Sequence, residues 1–281
     1  MKNSSGYFEG REAKKIFYQC WLPDSGDVKA YIIAIHDLGA HSNRIKEPAE
    51  YFTQKGYAVY SFDLRGHWRT GEKPGHIDSM DHIQKDIILF TDIVRKDLGD
   101  KKLFLIGHSF GGLISLIYGM NHPGLPGLIA ASPMLGQMME LPISEKVVKK
   151  MAGPIGKISP LTTVKFEVDQ KHLTRDLKIL KEYLTDDNKL GVISVKTASE
   201  IDKSMKWAIK NASKLRCPSL ILQAGNDKIV DKEKTKRFFE NIASADKTYK
   251  EYNGFLHDLW NEKGREQVFQ DMYIWLEKHL K

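Results

Sequence analysis

Lys102-Leu-Phe-Leu-Ile-Gly107-His-Ser-Phe-Gly111-Gly-Leu-Ile-Ser-Leu-Ile-Tyr-Gly-Met120 is the stretch on which the reading of this chain turns. After its first lysine, segment 102–107 is apolar on both faces, which predicts a short strand buried inside a sheet. Leu113–Met120 predicts a helix. Between them lies Gly107-His-Ser109-Phe-Gly111, a Gly-x-Ser-x-Gly pattern in a strand-to-helix turn. A turn this sharp strains the serine backbone and needs glycine on either side, where side chains would clash; it holds the hydroxyl out above the sheet. The five-residue pattern alone is common, and a Gly-rich turn with an ordinary serine is the bland alternative. Gly112, which favours close packing of helix on sheet, weighs against it.

Working outward, the 37 residues from Leu103 to Met139 contain no Asp, Glu, Lys or Arg, which suits the centre of a sheet and its packed helix. Upstream, Ala30–His36 and Tyr57–Phe62 read as strands and Ile45–Gln54 as a helix. Met80–Leu98 repeats apolar residues at helical spacing (Ile83, Ile87, Phe90, Val94). Downstream, Gly127–Ala131, Ser219–Gln223 and Lys247–Tyr252 read as strands, and Lys232–Asn241 and Arg265–Leu280 as helices. This alternation predicts an α/β fold of mostly parallel strands joined by crossover helices. From Met134 to about Lys206 the alternation stops; Pro142, Pro154 and Pro160 punctuate several short predicted helices amid dense Lys. The expected organisation is a core of residues 1–133 and 207–281, with 134–206 as a helical insertion.

Composition narrows the class further. Of 281 residues, 41% are hydrophobic and 10% aromatic, enough to bury a large core, which argues against wholesale disorder. Forty-three basic against 36 acidic residues give a net charge of +7. The lysines are spread along the chain with no arginine-rich run, so a solvated surface is expected and nucleic acid is not. Cys20 and Cys217, both in stretches that read as strands, are expected to be reduced core thiols, one long-range disulfide being the alternative. Residues 1–10 lack the apolar stretch of a signal peptide, and no run is long enough to span a membrane; a cytoplasmic protein is expected.

A serine hydroxyl is a poor nucleophile at neutral pH without a base, and the base needs an orienting carboxylate. After such an elbow the partners follow in the order acid, then histidine. Of the ten histidines, His257 and His279 lie beyond a plausible acid. His279 is expected to be an exposed helix-end residue; His257, in Asn253-Gly-Phe-Leu-His-Asp258 after a strand, is placed to swing over the strand ends. Asp227, just after strand 219–223, is the expected acid. Asp231 reads as a helix N-cap, and Asp258 is the alternative orienter, although adjacent side chains usually point apart. Two backbone N–H groups should meet a developing oxyanion: that of Phe110 and one from the loop His36-Asp-Leu-Gly-Ala40, where Leu38 is the expected donor. A plain turn at Gly39 is the bland reading of that loop. A metal cluster of His36, Asp37 and His41 lacks matching ligands elsewhere, so neither metal nor cofactor is expected.

With these residues assembled, the chain resembles the α/β-hydrolase superfamily, and within it the monoacylglycerol lipase and lysophospholipase-like serine hydrolases. The resemblance is carried by His36-Asp-Leu-Gly-Ala-His-Ser-Asn-Arg44, Phe62-Asp-Leu-Arg-Gly-His67, Gly107-His-Ser-Phe-Gly-Gly112, Gly225-Asn-Asp227 and Tyr252-Asn-Gly-Phe-Leu-His257, in the family's order. It implies Ser109, Asp227 and His257 as a catalytic triad, Leu38 and Phe110 as the oxyanion hole, and 134–206 as a helical cap over an acyl pocket. Two positions depart from it. Asp37 stands where the family has glycine, and its carboxylate should turn away from the hole; Trp68 replaces a glycine and should reshape the pocket wall. His108 is expected to pack at the elbow without taking part. Met134, Met138, Met139 and Met151 could line an adaptable acyl pocket, with ordinary core packing as the alternative. Lys146, Lys149 and Lys150 are expected to form a solvated helix face, transient contact with a membrane surface being the weaker reading.

The expected function is a serine carboxylic-ester hydrolase that passes through an acyl-Ser109 intermediate, with a small-molecule ester or lipid of one medium or long acyl chain as substrate. A thioesterase, acyltransferase or peptidase would use the same triad. A non-catalytic receptor on this fold would be favoured by a missing triad member, and all three are present.

Overall fold

The computed structural model of the chain describes residues 1–24, 27–71, 73–137, 159–166 and 168–280. Eight strands form one sheet: β1 (Lys2–Glu9), β2 (Lys15–Leu22), β3 (Ala30–Ile35), β4 (Tyr57–Phe62), β5 (Leu103–His108), β6 (Leu128–Ala131), β9 (Ser219–Ala224) and β10 (Lys247–Tyr252). Their order across the sheet is β1-β2-β4-β3-β5-β6-β9-β10. β1 and β2 pair antiparallel, and β2 pairs antiparallel with β4. From β4 to β10 every pairing is parallel.

The central strands are apolar throughout because both of their faces are covered. Alternate residues sort to opposite sides: Tyr31, Ile33 and Ile35 of β3 with Leu103 and Leu105 of β5 join one core. Ala30, Ile32 and Ala34 with Phe104 and Ile106 join the other. Helices α2 (Met80–Leu98) and α3 (Phe110–Asn121) cover the first face, supplying Ile83, Ile87, Phe90 and Leu113 to it. Helices α1 (Lys46–Gln54) and α7 (Arg265–Lys278) cover the second with Ala49, Phe52, Val268 and Met272. This is the α/β-hydrolase arrangement.

Several elements differ from the sequence reading. The β1–β2 hairpin was not foreseen as a whole: β1 is a largely exposed edge strand whose polar residues carry no inward alternation. Between Met134 and Lys206 the described residues include a two-stranded antiparallel sheet, β7 (Thr163–Lys165) with β8 (Val192–Ser194), as well as α4 (Leu177–Leu184) and α5 (Val195–Lys210). The limit drawn at 206 falls inside α5, whose Ala208 is buried against the core, so the helix serves both segments. Cys20 lies on β2, but Cys217 precedes β9; both are buried free thiols. His279 is buried, not exposed: its ring stacks on Trp275 at 3.9 Å, and its Nε2 lies 3.0 Å from an Asp246 oxygen. Met138, Met139, Met151, Lys146, Lys149 and Lys150 lie outside the described residues. Among those described, no helix is long and apolar enough to cross a membrane.

Candidate active site

Every element proposed for the chemistry sits at a carboxyl end of a parallel strand, where loops can converge above the sheet. β5 ends at His108 and α3 begins at Phe110, so Ser109 alone makes the turn, at φ 51° and ψ −113°. An L-residue holds that conformation only when its surroundings impose it. Here the Ser109 N–H donates to the Ala131 carbonyl (2.9 Å), while the Ser109 carbonyl accepts from Leu113 (3.1 Å) and Met134 (2.9 Å). The flanking glycines are obligatory. A Cβ on Gly107 would stand 2.1 Å from the Gly111 carbonyl oxygen, and one on Gly111 would stand 2.2 Å from that of Ile35.

His257 follows β10, and its Nε2 lies 2.9 Å from Ser109 Oγ. Its Nδ1 lies 2.8 Å from Asp227 Oδ2, in the loop after β9. The other Asp227 oxygen accepts the N–H groups of Ile229 (2.9 Å) and Val230 (3.0 Å). Burial would raise this carboxyl, but the charge and hydrogen bond of His257 together with those two N–H groups hold it below its ordinary range. Asp258 does not orient His257: it accepts from the Tyr183 hydroxyl and from Asn261. Asp231 caps helix α6 (Lys232–Glu240), accepting from the N–H groups of Glu233 and Lys234. Ser109, Asp227 and His257 are each less than 7% exposed. They form a hydrogen-bonded relay able to move a proton off the serine.

The loop after β3 faces the elbow. Phe110 is the first residue of α3, where helix geometry leaves the N–H without an intrahelical acceptor. Among the described residues, no acceptor takes the N–H of Leu38. Two buried histidines hold that loop. The Nδ1–H of His36 donates to the Asp37 carbonyl (2.8 Å), and its Nε2 accepts from the Leu64 N–H (3.0 Å). His67 accepts the Gly39 N–H on Nε2 (3.1 Å) and donates from Nδ1 to the Arg65 carbonyl (2.8 Å). Burial and neighbouring histidines hold His36 well below the usual imidazole range, and burial carries His67 down to about 4.

The Asp63-Leu-Arg65-Gly-His67 segment thus works from beneath. Asp63 accepts the Ser42 N–H at 2.8 Å, and Arg65 grips Asp86 through two bonds of 2.6 and 2.9 Å. The sequence reading used this segment only as a resemblance; its periodicity gave no sign of the support it lends to residues 37–42.

Asp37 does turn its carboxylate aside, onto His108, with Oδ1 at 2.7 Å from the ring Nδ1. His36, Asp37 and His41 therefore face separate partners, His41 lying 2.9 Å from Asp186. Trp68, at φ 35°, packs on His41 (4.5 Å) and Phe17 (5.8 Å) rather than on the cavity wall. Met134 is 5% exposed and belongs to the hydrophobic core; its part in the site is the backbone bond to Ser109.

A cavity of about 810 Å³ opens against Leu38 and His108. Phe166, Leu173, Leu180 and Leu184 line it with apolar groups, and Arg44, Lys189 and Asn261 add polar ones. Residues 168–191 are tied to both sides of the site. Leu190 donates to the Gly39 carbonyl (2.9 Å) and Asp186 holds Arg44 (2.5 Å), while the Leu173 carbonyl accepts from the Asp258 N–H (2.9 Å).

The sequence model of the serine aminopeptidase S33 family matches residues 26–264. A phospholipase of Bacillus subtilis is 29% identical over 254 residues, covering 89% of this chain and 96% of that protein. A putative monoglyceride lipase of Schizosaccharomyces pombe is 31% identical over 276 residues, covering 93% of this chain and 72% of its own. Among solved structures, a monoacylglycerol lipase of Paleococcus ferrophilus superposes with a TM-score of 0.81 at 28% identity, over 94% of this chain and 99% of that one.

Proposed function

The chain belongs to the serine aminopeptidase S33 family of α/β-hydrolases, and from that premise we propose that it is a serine hydrolase of lipid esters bearing a single acyl chain, of the monoacylglycerol or lysophospholipid kind. The observation that carries the reading is the relay from Asp227 through His257 to Ser109, held beside a partly apolar cavity. The phospholipase and monoglyceride lipase relatives support the lipid ester as substrate.

In this reading Ser109 Oγ attacks the ester carbonyl while His257 Nε2 takes the hydroxyl proton. The carbonyl oxygen becomes an oxyanion, met by the N–H groups of Leu38 and Phe110. Collapse of the tetrahedral species breaks the bond to the alcohol, which leaves with the proton from His257. Water then attacks the acyl-serine with His257 as base again, releasing the fatty acid and restoring Ser109. Asp227 keeps the imidazole in the tautomer that presents a bare Nε2 to the hydroxyl. Of the expected cap, Phe166, Leu180 and Leu184 line the cavity and, in the same reading, meet the acyl chain.

Labelling by a serine-directed fluorophosphonate, with Ser109→Ala beside the parent, tests the nucleophile. A panel of p-nitrophenyl esters, monoacylglycerols, lysophospholipids and an aminoacyl arylamide then tests the substrate class. Labelling of the alanine variant would move the nucleophile elsewhere, and turnover of the arylamide alone would make the enzyme a peptidase.

A further inference from the structure

His108 presents each ring nitrogen to an atom that only accepts: Nδ1 to the Asp37 carboxylate at 2.7 Å, and Nε2 to the His257 carbonyl oxygen at 2.8 Å. A neutral imidazole has one N–H and satisfies one such partner; two acceptors call for both nitrogens to be protonated. The ring is 1% exposed, so water does not substitute for either bond. Asp37 is the neighbour of Leu38, and His257 is the proposed base. One buried side chain thus spans the two loops whose spacing decides whether base and oxyanion donors address the same carbonyl.

We propose that His108, as an imidazolium paired with Asp37, is a positioning residue that locks the oxyanion loop to the backbone of the catalytic histidine. The inference rests on the reading of Ser109, Leu38 and His257 given above. The titratable groups facing His108 are Asp37 from the loop after β3, and Asp258 and His257 from the loop after β10, with the His257 ring centre at 4.9 Å. Tyr183 on α4 bonds Asp258 and so lies behind it. Burial alone would lower the His108 ring, but the charge and hydrogen bond of Asp37, the charge of Asp258 and the His257 carbonyl raise it to about 9. The lock is complete below that pH and loses one of its two bonds as pH rises through it. Glycine at position 37, which the resemblance calls for, would remove the carboxylate and leave His108 without its Nδ1 partner on the oxyanion loop.

The test is the pH dependence of kcat for a soluble ester from pH 6 to 10.5, in the parent, Asp37→Asn and His108→Asn, with Tm measured alongside. The parent should lose activity through a pH near 9. Asp37→Asn removes the charge and keeps an acceptor, so its alkaline loss should move down by one pH unit or more at nearly unchanged Tm. His108→Asn should lower kcat about tenfold to a hundredfold with little change in KM, as expected of misplaced rather than missing groups. Nitrogen-15 shifts of labelled His108 supply an arm independent of turnover: both ring nitrogens should be protonated at pH 7.5. A neutral ring at that pH, or alkaline limbs identical in the parent and Asp37→Asn, overturns the proposal. A parent that shows the imidazolium but neither labels with fluorophosphonate nor turns over an ester overturns the hydrolase reading and, with it, the positioning role, while the ion pair stands.

Discussion

Gly39 donates its backbone N–H to Nε2 of His67 at 3.1 Å, across 28 residues of sequence. With Nδ1 already donating to the Arg65 carbonyl, the ring can accept that N–H only in its neutral form. The loop that carries Leu38 is therefore pinned by a histidine that must stay uncharged, while His108, on its other side, must stay charged.

That arrangement predicts an acid limit on stability. His67 titrates near 4 in the folded protein against an ordinary 6.5, so between those values the unfolded chain binds the extra proton and the folded one does not. Stability from this group is whole above pH 6.5, falls as pH falls, and is gone below about 4. A gap of this size corresponds to about 3 kcal/mol, and His36, shifted in the same direction, adds to it. Urea unfolding at pH 7 and pH 4 should show His67→Gln, which retains an acceptor but does not titrate, losing less stability between the two pH values than the parent by roughly that amount. Equal losses in both proteins would remove His67 from the account.

The elbow predicts a sharp contrast between two glycines. Gly111→Ala drives a Cβ into backbone, 2.2 Å from the Ile35 carbonyl, which cannot retreat without breaking the β3–β5 pairing. The cost should exceed the roughly 1–3 kcal/mol of ordinary overpacking. Gly124→Ala meets nothing within 4 Å and should be neutral or stabilising by about 0.4–1 kcal/mol. Thermal melts of the two variants check both halves.

Exchanging single carboxylates separates the acid from its neighbours. Asp227→Asn should lower turnover on the order of 10⁴-fold by allowing the wrong His257 tautomer, with little change in Tm. Asp231→Ala should leave turnover alone and cost about 1 kcal/mol as a lost helix cap. Steady-state rates and melts on the same preparations distinguish them; a large rate loss in Asp231→Ala would reverse the roles.

The meeting of Ser109, Asp227 and His257 was legible because each is announced by its immediate context: an apolar strand, then a turn at its carboxyl end. The strand and helix limits of the core followed from the same periodicity, and β4, α2 and β10 agree with it residue for residue. What the sequence withheld is held together by distant partners. Asp37 and His108 are 71 residues apart, and no local pattern pairs a carboxylate with a histidine at that range. The burial of His279 depends on Trp275 and on Asp246, 33 residues upstream. β7 and β8 are three-residue strands, too short for an alternation to register. The carboxylate at position 37 could have been a warning, since a half-buried acid beside the proposed oxyanion site calls for a counter-charge, and His108 was the cation at hand.

The cavity beside Leu38 gives the last prediction. Leu180 lines it from α4, together with Phe166 and Leu184, and none of the three belongs to the relay. If lipid esters occupy this space, Leu180→Trp should shorten it and lower kcat/KM for long monoacylglycerols while leaving vinyl acetate, too small to reach α4, near the parent value. Each methylene excluded from an apolar pocket is worth about 1–3 kcal/mol of discrimination, or roughly 10- to 200-fold. The loss should therefore set in abruptly at one chain length and deepen beyond it. Measuring kcat/KM from two to fourteen acyl carbons, with vinyl acetate as the internal control, reads that onset directly. A loss that is uniform at every length would instead place Leu180 in support of α4, and the cavity would have no part in choosing the ester.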